Sequence, residues 1–76
     1  MTDRQEIFEL KSSHIELYKL LKLYALAGSG GEAKHLVDQG LIRVNDEIET
    51  RKRRKLVVDD VVIFDTTRIT IVSSKQ

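Results

Sequence analysis

The stretch SGGEAKHLVDQGLIRVNDEIETRKRRKL, residues 29 to 56, changes its hydrophobic period at Gly40, and that change decides the fold. Before the glycine, Ala33, Leu36 and Val37 recur at helical spacing and form one buried face. Glu32 stands three residues after Ser29, the capping-box spacing in which a hydroxyl and a carboxylate satisfy free N–H groups at a helix start. A short helix ended by Gly40 is expected. Beyond it, Ile42 and Val44 face inward and Arg43 outward, Asn45-Asp46 forms a turn, and Ile48 lies between Glu47 and Glu49. This is the pattern of a short hairpin, since Asn and Asp tolerate positive φ better than other non-glycine residues.

Toward the N-terminus, Leu17, Leu20, Leu21 and Tyr24 follow i, i+3, i+4, i+7 spacing, with only Glu16, Lys19 and Lys22 breaking the apolar surround. Ser13 and Glu16 have capping-box spacing, so a first helix is expected to begin there and to stop near Gly28. Toward the C-terminus, Leu56 to Val58 and Val61 to Phe64 flank an Asp59-Asp60 turn, and Ile69 to Val72 follows Thr66-Thr67-Arg68 as a last strand. Ile7 to Leu10 is a further strand candidate. No repeat, proline or low-complexity linker divides the chain. Residues 1 to 76 therefore read as one α+β domain, in which two packed helices are followed by a small, mostly antiparallel, twisted sheet.

The charge is polarised. Residues 1 to 50 hold six Lys/Arg against nine Asp/Glu, whereas residues 51 to 76 hold seven against three, in a chain of formal net charge +1. The five consecutive cations Arg51, Lys52, Arg53, Arg54 and Lys55 are thus a local site on a near-neutral protein. Such a run fits a nucleic-acid backbone, from which it displaces condensed counterions, although it also fits a solvated loop. Seventy-six residues bury roughly 60% of their extended surface, too little for a deep catalytic cleft. With no cysteine, neither disulfides nor thiolate-bound zinc can supplement the small core. The absence of an apolar signal core or a spanning stretch predicts a cytoplasmic protein with no membrane partner.

The order of residues from Ser29 onward resembles the S-four RNA-binding domain, a family named for a ribosomal small-subunit protein. The family pattern runs Ser-Arg-x-x-Ala, an apolar pair, Gly-x-Val-x-Val-Asn-Gly and later Gly-Asp-x-Val. This chain matches it at Ser29, Ala33, Gly40, Ile42, Val44, Asn45, Asp60 and Val62. It is similar to small stand-alone bacterial members of the family, which share the GGEAK and ETRKRRK-like segments. The resemblance implies RNA binding through a helix-helix-hairpin surface, with ribosomal RNA favoured, transfer RNA second, and the ribosome or its assembly intermediates as the setting. It implies no cofactor, and the chain is expected to act as a monomer. The chain departs from the pattern at Gly30 for arginine, and at Asp46 and Asp59 for glycines. Lys34, one turn beyond Gly30, is positioned to replace the missing cation.

The candidate RNA-binding residues are Ser29, Gly30, Gly31, Lys34, Asn45 and the run Arg51, Lys52, Arg53, Arg54 and Lys55. Ser29, Gly30 and Gly31 leave helix-start N–H groups uncovered, and such groups attract phosphate. The alternative is that the glycine pair serves only the turn. Lys34 either faces RNA or pairs with Asp38 at i+4. An extended run would point Arg51, Arg53 and Lys55 to one side and Lys52 and Arg54 to the other, whereas a loop could gather all five. Arg43 faces either RNA or the neighbouring Glu47 and Glu49. Tyr24, Phe8 and Phe64 fall in apolar runs and are assigned to the core, leaving Tyr18 unassigned. His14 and His35 are too isolated for a metal site, and no nucleophile or base accompanies Asp59-Asp60, so no enzyme is expected. Two other classes remain: a protein adaptor using the basic run against an acidic partner and the Val57-Val58 edge for strand pairing, and a DNA binder.

Overall fold

A computed structural model describes residues 4–74. Strand β1 (Arg4–Leu10) is followed by a short strand β2 (Ile15–Glu16), helix α1 (Leu17–Leu23) and helix α2 (Gly30–Asp38). Then come β3 (Ile42–Val44), β4 (Glu47–Ile48), β5 (Lys55–Leu56), β6 (Val61–Phe64) and β7 (Thr67–Ser73). The main sheet has the order β1-β7-β6-β3-β4, and β2 pairs with β5 in a separate two-stranded ladder. All its pairings are antiparallel except β1 with β7, which run parallel in register from Arg4 opposite Thr67 to Leu10 opposite Ser73. The α+β class and the mostly antiparallel sheet match the expectation. Helices before sheet does not, because β1 precedes both helices and returns as a sheet edge.

The core lies between the helix pair and one sheet face. Leu17, Leu20 and Leu21 of α1, Val37 of α2, Ile42, Leu56, Val62, Ile69 and Ile71 are each fully buried. Tyr24, Phe8 and Phe64 are half-buried against this cluster, at its edge and not its centre. Tyr24 remains tied to β1, its hydroxyl donating to the Ile7 carbonyl at 3.1 Å.

Both ends of α1 differ from the sequence expectation. Ser13 does not cap it: its hydroxyl lies 3.0 Å from His14 Nδ1, and the chain stays extended through Glu16, the N-cap, whose side chain makes no capping bond. The orphan donors at the helix start are met from far along the chain. Leu17 N–H donates to the Arg54 carbonyl at 2.9 Å and Tyr18 N–H to the Lys52 carbonyl at 3.2 Å. The helix ends at Leu23, well before Gly28, in a Schellman motif: Leu26 N–H donates to the Leu21 carbonyl and Ala25 N–H to that of Lys22. Ala25 takes the left-handed position at φ 58° without being glycine, so no residue type announced the stop.

Helix α2 keeps its expected bounds. Ser29 Oγ accepts from Glu32 N–H at 3.1 Å, and the Glu32 carboxylate turns back to accept from Gly28 N–H. Gly40, at φ 76°, closes a second Schellman motif, with Leu41 N–H on the Leu36 carbonyl and Gly40 N–H on that of Val37.

In the β3–β4 hairpin Asn45 and Asp46 both have positive φ, 53° and 70°, as a two-residue primed turn requires. Such a turn sets Arg43 opposite Ile48 and Val44 opposite Glu47. Ile48 therefore shares the outward face with Arg43 and is exposed, while Glu49 is buried. The expected strand from Leu56 to Val58 ends at Leu56, which pairs with Ile15. Asp59 takes φ 80°, where the family pattern has glycine, and Asp60 turns inward. Asp60 Oδ1 accepts from Asn45 Nδ2 and Oδ2 from Val57 N–H, both at 2.9 Å, while Asn45 Oδ1 accepts from Val61 N–H. One Asn-Asp pair thereby lashes the two turns together.

Candidate nucleic-acid interface

The basic run is neither an extended strand nor a uniform cationic patch. Residues 51 to 54 form a turn closed by Arg54 N–H on the Arg51 carbonyl at 3.2 Å, and only Lys55 lies in a strand. The expected alternation of Arg51, Arg53 and Lys55 against Lys52 and Arg54 is thus overturned. The reason is Glu49. Arg51 holds its carboxylate through Nε and Nη2 at 2.9 and 3.0 Å, and Arg54 Nη1 reaches it at 2.7 Å. Arg51 N–H adds a further bond at 2.9 Å. Two of the five cations are engaged in fixing the turn; Lys52, Arg53 and Lys55 remain exposed.

The hydrogen bonds from Arg51, aided by those from Arg54, hold the Glu49 carboxyl down at about 2, from an ordinary 4.5, against the opposing effect of burial. A depressed carboxylate stabilises the fold fully above its unfolded value and loses that contribution as pH falls toward the folded one. Acidification from pH 4.5 toward 2 should therefore release the clasp. Glu49→Gln is expected to lower stability at pH 7 by about 2 kcal/mol and to flatten the acid loss, as read from thermal melts at both ends of that window. A variant with the wild-type melt at pH 7 would contradict the clasp.

Arg53 of the turn and Lys34 of α2 converge on Tyr18. The Lys34 ammonium lies 4.7 Å from the centre of the Tyr18 ring, and the Arg53 guanidinium carbon 5.6 Å from it. Both distances fit cation–π contact. Arg53 also comes within 3.8 Å of Glu16, which pairs with Lys19 at 3.4 Å. Lys34 makes no ion pair with Asp38 among the described residues; it leans across to α1 instead. A Cβ at Gly30 would meet the edge of the Tyr18 ring and the Lys22 stem at 3.8 Å, so both residues border the start of α2. The sequence left Tyr18 unassigned and placed Lys22 only as a break in the apolar surround of α1, because what brings them to the site is the packing of α2 and the basic turn against α1. The remaining signal was an exposed-side aromatic flanked by lysines at 19 and 22.

Gly30 and Gly31 are the first two residues of α2, and neither has positive φ. The turn does not require them. Ser29 Oγ accepts from Glu32 N–H and the Glu32 carboxylate accepts from Gly28 N–H, which leaves Gly30 and Gly31 as first-turn donors with no acceptor in the chain among the described residues. Asn45 stands apart, its amide engaged with Asp60 and Val61. Arg43 is exposed on the outer sheet face, with no ion pair to Glu47 or Glu49 among the described residues. The structure therefore brings Gly30, Lys34 and Arg53 together around Tyr18 with Gly31 next along α2, keeps Lys52 and Lys55 nearby in sequence and exposed, and engages Arg51, Arg54 and Asn45 in bonds that hold the scaffold.

Comparison with known proteins gives a consistent result. The S4 domain model matches residues 8–72. "Putative RNA-binding protein YbcJ" of Escherichia coli (strain K12) is 38% identical over 63 residues, spanning 83% of this chain and 90% of that protein. "Probable ribosome maturation protein RlbA" of Bacillus subtilis (strain 168) is 46% identical over 48 residues, 63% of this chain and 68% of the relative. Among solved structures, the solution structure of E. coli YbcJ, described as revealing an αL motif involved in RNA-binding, superposes with a TM-score of 0.70 at 35% identity. That match covers 96% of this chain and 94% of the other. The family pattern read from Ser29, Ala33, Gly40 and Asn45 is thus matched by a profile across most of the chain and by a shared fold: the protein belongs to the S4 domain family.

Proposed function

We propose that this protein binds structured RNA without catalysing a reaction, using the surface where the start of α2 meets the basic turn. Ribosomal RNA is the favoured partner and transfer RNA the second, with the ribosome or its assembly intermediates as the setting. The protein acts as a monomer in the cytoplasm. Among the described residues no helix is long and apolar enough to cross a membrane.

The observation that carries this reading is the cluster of Lys34, Arg53 and Lys22 around Tyr18 beside two glycines that no backbone angle requires. At the first two positions of α2 these glycines carry no Cβ beside their free N–H groups, which leaves those donors accessible. Backbone donors at a helix start and nearby cations together suit phosphate. Arg53 can also stack on an unpaired base. The names of the YbcJ and RlbA relatives support RNA and the ribosome as partners.

Nuclease treatment of a cell extract tests the partner class. The protein should leave its high-mass complex after RNase and not after DNase. Retention after both treatments would favour the adaptor, whose apolar contact would be the exposed pair Val57 and Val58.

A further inference from the structure

Beside the cation cluster, a concavity of ≈ 430 Å³ is lined by Ile15, Tyr18, Lys19, Lys22 and Leu23. Its lining combines the apolar Ile15 and Leu23 and the Tyr18 ring with the cations Lys19 and Lys22. Leu23 is 63% exposed, an apolar side chain of α1 turned to solvent beside Lys19 and Lys22. The core does not use it, since α1 buries Leu17, Leu20 and Leu21 on its other side. An apolar side chain adds nothing to phosphate attraction, so its place here calls for an apolar contact within a charged ligand.

The lysines narrow the choice of ligand. Lys19 and Lys22 are three residues apart on α1 and therefore neighbours on one face. Lys19 holds Glu16 only at 3.4 Å with its own side chain 57% exposed, an ion pair weak enough to exchange for phosphate. Lys22 makes no ion pair among the described residues, and its stem runs beside Gly30. A concavity lined by three apolar or aromatic side chains and two lysines, with a volume within the usual range for small ligands, matches a nucleotide whose base meets the apolar side chains and whose phosphate meets the lysines. Bases paired within an A-form stem cannot enter, because they are stacked and their major groove is deep and narrow. Only an unpaired base swung out of the stem can reach the apolar side chains while its phosphate stays at the lysines.

We propose that this concavity takes one extruded, unpaired base of the bound RNA, with Leu23, Ile15 and the Tyr18 edge against the base and Lys19 and Lys22 at its phosphate. The proposal rests on the RNA-binding reading above and adds a subsite to it. It makes Leu23 a specificity-determining residue for bulged or looped RNA.

The test uses two RNA stems that differ at one position: a single-nucleotide adenosine bulge, and the same bulge carrying an abasic sugar. The full-length protein should bind the base-bearing stem roughly tenfold more tightly than the abasic one at equal salt, the scale of one base contact. Leu23→Ala, at an exposed position, should bind both stems alike, near the affinity of the wild type for the abasic stem, and with an unchanged salt dependence. Equal wild-type affinity for the two stems would overturn the subsite and leave RNA binding standing. Full discrimination by Leu23→Ala would likewise overturn it. Failure of the wild type to bind either stem at any salt would overturn the RNA reading and the subsite with it.

Discussion

Simultaneous replacement of Lys22, Lys34 and Arg53 by alanine should leave the protein folded and remove most of its affinity for structured RNA. The three side chains border Tyr18 and the start of α2, and none of them holds a buried group. Each phosphate contact releases counterions, so losing three should reduce the slope of log affinity against log salt by roughly 2 to 3. The choice of residues matters. Removing Arg51 and Arg54 would instead strand the buried Glu49 carboxylate, and any loss of binding would then follow from the fold. A folded triple variant with unchanged affinity and slope would remove the proposed interface.

The largest expected effect on stability is at Leu21. Leu21→Ala empties a fully buried position where α1 faces α2 and the sheet, and such truncations typically cost about 2 to 5 kcal/mol. A chain of this length is stable by roughly 4 to 11 kcal/mol, so the loss takes a large share of the total. The melting temperature should fall by roughly 10 °C or more. A wild-type melt would contradict the placement of the helix pair over the sheet.

Those parts of the fold that rest on local signals could be read from the chain. Helix α2 was legible because Ser29, Glu32 and Gly40 act on their own neighbours, and the hairpin was legible because Asn45-Asp46 makes its own turn. Helix α1 was only half legible. Its apolar face is periodic, but its first N–H groups are satisfied by the carbonyls of Lys52 and Arg54, which no local pattern reports. A side-chain cap at Ser13 was a reasonable expectation with no work left to do. The facing of Ile48 followed from the turn and not from its neighbours: a two-residue primed turn sets it opposite outward-facing Arg43.

The candidate site shows the same division. Ser29, Gly30, Gly31 and Lys34 form a local group at one helix start, so the sequence indicated them together. Within the basic run, residue type did not distinguish arginines clasping Glu49 from cations facing outward, because the clasp depends on Glu49 being turned into the core. Tyr18 was hidden for a related reason: its role appears only when α2 brings Lys34 and the turn brings Arg53 to its ring. Asn45 and Asp60, two residues that carried the family resemblance, join the two turns and not the basic surface.

Competition binding at one salt concentration tests the central claim most directly, using a bulged RNA stem, duplex DNA of equal length and an unstructured RNA. Cations alone attract all three, whereas the proposed surface of helix start, Tyr18 and clasped turn is expected to distinguish A-form geometry from B-form. The wild type should prefer the folded RNA over both competitors. Gly30→Glu fits sterically, because its Cβ would sit in ordinary contact with Tyr18 and Lys22, and it should reduce the preference by placing a carboxylate at the helix start. Equal affinity of the wild type for all three nucleic acids would show the basic turn to be a simple polyelectrolyte contact and would contradict a dedicated RNA-binding surface.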